Sequence, residues 1–128
     1  MSAELTMDEV MLFNRHPDVL PLYAALREKL AAAYPRMTLK VSKTQVSFRE
    51  RYVFAMASPP WRRVRGWPER YLLVSFGLSH RSGHPRVASC VEAYPGRWTH
   101  HVVVARAEEL DGELMALIDE AYRFSMVK

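Results

Sequence analysis

Lys43, Gln45, Ser47 and Arg49 fall at alternate positions, and Arg51 follows two residues on. Alternate side chains of an extended chain share one side, so this stretch gathers cations and hydrogen-bonding groups on a common surface. A connection of unusual make-up follows, with Arg62, Arg63 and Arg65 between Trp61 and Trp67. Guanidinium forks grip carboxylate or phosphate through paired hydrogen bonds, and tryptophan faces hold flat or cationic groups. The combination suits a planar anion held by Lys43, Arg49 and Arg51, stacked on Trp61 or Trp67 and oriented by Tyr71 or His101. A solvated sheet face beside a basic loop is the competing reading, because charged strand positions normally meet water.

Four of the five histidines and the single cysteine offer other chemistry. His100 and His101 are adjacent in a strand, so their side chains point to opposite faces and cannot share one metal. His101 shares a face with Thr99 and Val103, and His100 with Trp98 and Val102; the pattern does not say which face is open. His80-x-x-x-His84 surrounds Gly83 in a turn and lacks the helical geometry that makes such a pair a zinc site. Cys90 would need an electropositive, partly exposed setting and a histidine in reach to act as a nucleophile, and a buried thiol is the commoner case. Neither a glycine-rich phosphate loop nor a nucleophile elbow occurs, and Glu50 is the single acid between Leu39 and Trp67. These features lean against an enzyme, and no metal or cofactor is expected.

The elements that must carry these residues are legible from periodicity. A chain of 128 residues has the length of one domain, here 1–128, with an N-terminal helical arm at 1–15 and a core at 17–128. Thr6 is a candidate cap for a short helix that is too brief to stand alone and must dock through Val10, Leu12 or Phe13. Asp18 is a second candidate cap, ahead of a helix whose apolar face is Leu20, Tyr23, Leu26, Leu30 and Ala33 and which Pro35 ends. Strand patterns follow from Leu39 to Ala57, and again at Arg70–Ser79, Arg86–Tyr94 and Trp98–Ala105, the last three joined by connections short enough for a meander. Asp111 caps a closing helix with Leu114, Leu117, Ile118, Ala121 and Tyr122 on one face. The predicted fold is α+β, a single antiparallel sheet of five to six strands with the N-terminal and C-terminal helices packed on one face. The opposite face is where function is expected.

Charge and composition set the outer bounds. Lysine and arginine number 18 against 14 acids, an excess too small to imply nucleic-acid binding by itself. The cations concentrate in the middle of the chain and the acids in the last helix. One cysteine excludes an internal disulfide framework and points to a reducing compartment. No run approaches the roughly 18 apolar residues of a membrane span, and the first residues do not read as a secretory signal. A cytoplasmic protein is the expectation.

Several motifs come in a familiar order: Val41-x-Lys43 into Val46-Ser47-Phe48, Arg51-x-x-Phe54-Ala55, Trp98-x-His100-His101, then Glu109-Leu110-Asp111-x-Glu113-Leu114 and Glu120-Ala121-Tyr122. On these the chain resembles, from about Pro17 onward, the bacterial domain-of-unknown-function family 5655. Some members carry a zinc ribbon before the domain, and no role of that ribbon is expected here. The resemblance implies a small α+β domain and supplies neither a reaction nor catalytic residues. The function expected from the residues is therefore a non-enzymatic binding module for a small anionic ligand or acidic peptide. A single-stranded nucleic-acid binder, marked by steep salt dependence, and a homodimeric interaction domain are the alternatives.

Overall fold

The computed structural model describes residues 5–60 and 64–127. Helices α1 (Met7–Leu12) and α2 (Leu20–Ala33) precede six strands: β1 (Thr38–Val41), β2 (Val46–Arg49), β3 (Val53–Ser58), β4 (Leu72–Leu78), β5 (Val87–Tyr94) and β6 (Arg97–Val104). A 3-10 turn at Ala107–Glu109 leads into α3 (Gly112–Met126). The strands form one antiparallel sheet in the order β1-β2-β3-β4-β6-β5. Tyr23, Leu26 and Leu30 of α2 and Leu114, Leu117, Ile118 and Ala121 of α3 meet Leu72, Val74, Phe76 and Leu78 of β4 in one apolar core. The α+β architecture with its main helices on one face is thus the one that periodicity predicts.

Local chemistry explains where the helices start. The Thr6 hydroxyl accepts from the Glu9 N–H, and the Glu9 carboxylate accepts from the Thr6 N–H at 2.8 Å, a reciprocal cap. Six residues do not hold a helix by themselves, and α1 is fixed by docking. Phe13 is buried against Tyr23 with ring centroids 4.8 Å apart. Val10, by contrast, stays exposed. At α2 the cap differs from the expected one. Val19 is buried and takes the N-cap position without a side-chain hydrogen bond, so Asp18 turns outward and pairs with Arg70 at 2.9 Å. Asp111 caps α3 as expected, accepting from the Leu114 N–H at 3.0 Å.

The last three strands are not a meander, since β6 lies between β4 and β5. The physical reason lies in the connection 79–86, which folds over the helix side instead of closing a hairpin. Its Ser82 N–H donates to Nε2 of buried His100 at 2.9 Å. Arg86 donates to both Asp111 carboxylate oxygens and to the Glu109 carbonyl, at 2.7–3.1 Å. His80 stands 3.4 Å from Glu120 and His84 3.5 Å from Glu113. Clamped to α3, the connection delivers β5 to the outer edge, where most of its residues are exposed.

Pro95 and Gly96 then reverse the chain, with Tyr94 opposite Arg97. Proline presets the first central position of such a turn and the second needs positive φ; Gly96 has φ +81°. No atom crowds a Cβ built there. Gly96→Ala should therefore cost only the backbone strain, about 1–2 kcal/mol, readable as a lower urea midpoint with an unchanged slope.

Candidate ligand-binding site on the helix-free sheet face

Alternation along β4 sends Tyr71, Leu73, Ser75 and Gly77 away from the helices. Strand register then aligns Lys40, Ser47, Met56, Ser75, His101 and Ser89 in one row across all six strands. A sheet with helices on one side normally wets the other, yet Tyr71, Leu73 and Ser75 are buried here. Val64 and Trp67, from the β3–β4 connection, close over them. The Trp67 ring meets Tyr71 edge-on at 5.5 Å.

Between this cover and the sheet lies a cavity of about 320 Å³, lined by Val64, Trp67, Tyr71, Leu73, Ser89, Val91 and His101. Leu73 and Val91 supply an apolar floor, Trp67 and Tyr71 aromatic walls, and His101 and Ser89 the polar groups. Ser75 Oγ lies 2.7 Å from His101 Nδ1 and fixes the ring. Burial, with a smaller effect from His100, holds the His101 pKa below its ordinary value. A neutral imidazole, with one donor and one acceptor nitrogen, therefore faces the cavity at neutral pH.

The residues singled out by sequence do not converge on one spot. Trp67, Tyr71 and His101 meet in the cavity. Ser47 lies on the same face but on β2, and Gln45 precedes that strand, its amide donating to Met56 Sδ at 3.3 Å. Arg49 is exposed at the end of β2. Lys43 sits in the β1–β2 turn beside Pro59 and Pro60. Arg51 turns to the helix side, where Nη1 donates to the Met126 carbonyl at 3.4 Å and Cζ lies 5.5 Å from the Tyr52 ring centroid. Trp61 lies outside the described residues. The expected cluster of Lys43, Arg49 and Arg51 around a stacked ring is thus divided among three places, because β2 runs only from Val46 to Arg49, and Lys43 and Arg51 fall in the turns before and after it, where strand alternation no longer sets a side chain's face.

His100, the other half of the pair, faces the helices. Its ring lies 5.4 Å from that of Phe76 and nearly parallel to it, at 4°. Nε2 accepts from Ser82, so Nδ1–H donates to the Trp98 carbonyl at 3.1 Å. Burial lowers its pKa more than the bond to the Trp98 carbonyl raises it. Cys90 is in register with His100 and half-buried, and burial pushes its thiol up, which opposes thiolate chemistry. Among the described residues no three His, Cys, Asp or Glu side chains are grouped to hold a metal.

Sequence reasoning passed over Arg97 and Gly77. A Cβ built on Gly77 would lie 2.7 Å from Arg97 Cζ and 2.8 Å from Nε. The guanidinium therefore rests on the bare backbone of β4. A glycine inside a strand signals close approach by another group, and this one was open to reading.

Fold and cavity together define a small α+β domain with a covered pocket on the sheet face opposite its helices. The chain belongs to the family described as a domain of unknown function (DUF5655), whose model matches residues 8–125 and so takes in most of α1 as well as the core. No curated protein and no solved structure gives a significant match.

Proposed function

We propose that the protein is a non-enzymatic binding module whose small ligand occupies the cavity beneath Val64 and Trp67. The observation that supports this is the cavity's chemistry: apolar floor, two aromatic walls and one oriented imidazole. Ligand sites are concave, mostly apolar and carry few well-placed polar groups. The separation of Lys43, Arg49 and Arg51 weighs against a continuous basic track for single-stranded nucleic acid. The single thiol, and the finding that no described helix is long and apolar enough to cross a membrane, are compatible with a cytoplasmic setting.

Val91 is exposed and lines the cavity, so Val91→Trp should block the cavity with little effect on folding. The test is a thermal-shift series with aromatic carboxylates, aromatic phosphates and a short oligonucleotide. A small molecule at 100 times its dissociation constant should add about 2.7 kcal/mol of stability to the native chain and none to Val91→Trp. Shifts that survive Val91→Trp, or a salt-dependent shift with the oligonucleotide alone, would overturn the reading.

A further inference from the structure

We infer that Arg97 is the anion-recognition group of this pocket and that the ligand is a small aromatic carboxylate. The inference rests on the cavity reading and adds the ligand's charged end. Arg97, Thr99 and His101 alternate along β6 and share the helix-free face, opposite Gly77 and Ser75 of β4. Thr99 stands between Gly77 on one side and Val91, which lines the cavity, on the other. The guanidinium lying on Gly77 is therefore one residue row from the Ser75–His101 pair. Rows two residues apart are separated by about 7 Å, a distance that an arylacetic acid spans.

Three features mark the guanidinium as poised for an anion. It is half-buried. Among the described residues no carboxylate pairs with it. The one acid of the β5–β6 hairpin, Glu92, stands opposite Trp98, which belongs to the helix side. Gly77 also holds the group in place, since any side chain there would occupy its position. A planar fork so fixed matches a carboxylate through two parallel hydrogen bonds. The apolar cavity beside it takes the ring, between Trp67 and Leu73.

Calorimetry on the full chain with matched probes tests this: phenylacetate against phenylacetamide, indole-3-acetate against indole-3-acetamide, and phenyl phosphate. The native chain should bind each carboxylate roughly tenfold to a hundredfold more tightly than its amide, the range of charge-assisted hydrogen bonds. Arg97→Gln should abolish that preference and leave amide binding unchanged, and Arg97→Lys should keep only part of it. Gly77→Ala should act like Arg97→Gln, because its Cβ meets only the end of a flexible side chain and displaces it without disturbing the fold. A carboxylate preference that persists in Arg97→Gln would overturn the role of Arg97 while leaving the cavity reading intact. Phenyl phosphate binding more tightly than the carboxylates, with the same dependence on Arg97, would overturn the carboxylate assignment. Failure of the native chain to bind any of the five probes would overturn this inference together with the cavity reading.

Discussion

Glu9→Ala should remove about 3–5 kcal/mol of stability, the range for breaking a buried ion pair from one side. Glu9 is fully buried although it belongs to a six-residue helix at the chain's edge. One carboxylate oxygen accepts from the Thr6 N–H; the other accepts from the Tyr23 hydroxyl and from Arg27 Nε, the latter at 2.6 Å. Alanine leaves the Tyr23 hydroxyl without its acceptor, takes the carboxylate from Arg27 and opens the reciprocal cap of α1. Urea unfolding should show a large drop in midpoint. The triple variant Glu9→Met, Tyr23→Phe, Arg27→Met should recover much of it, since apolar replacement of a whole buried network is often near neutral. Equal losses in the single and triple variants would mean that shape, and not the unpaired groups, sets the effect.

The same carboxylate gives a pH dependence of definite sign. Burial raises its pKa, but the bonds from Thr6, Tyr23 and Arg27 together outweigh burial and hold it below the usual value. The folded chain therefore stays ionised where the unfolded chain takes up a proton. Stability from Glu9 is complete above the ordinary glutamate value of about 4.3 and is lost as the pH falls from there through the depressed folded value. In Glu9→Gln that part of the acid dependence should be absent.

What could be read from sequence follows the helix side of the sheet. Spacing alone located Tyr23, Leu26 and Leu30 on α2 and Leu114, Leu117, Ile118 and Ala121 on α3, because burial on a helix imposes a period that survives any topology. Strand order was less accessible. Placing β6 between β4 and β5 depends on contacts of the 79–86 connection with His100, Glu113 and Glu120, which are distant in sequence. The candidate site divided along the same line. Trp67, Tyr71 and His101 were legible as an aromatic and polar set, and they share the cavity. Arg51 was grouped with the alternating set that ends at Arg49, but it lies in the connection beyond β2 and turns to the helix side. Arg97 escaped notice because its significance comes from Gly77, twenty residues earlier and one strand away.

The two faces of β4 thus carry different tasks on consecutive residues. Phe76 lies between Ser75, which fixes His101, and Gly77, which seats Arg97, yet it points into the core. Phe76→Ala should cost about 3–5 kcal/mol, from lost burial and the cavity left behind. It also strips the stacked ring from His100. Because the backbone of β4 is paired on both sides, to β3 and to β6, the loss should not propagate to the helix-free face. Phe76→Ala should therefore show a much lower urea midpoint, and, at a temperature where it remains folded, an unchanged affinity for whatever aromatic probe the native chain binds. Phe76→Leu, which keeps most of the volume, should lose markedly less stability. A fall in probe affinity that tracks the fall in stability across these two variants would mean that the faces are coupled, and that the pocket depends on helix-side packing as well as on its own residues.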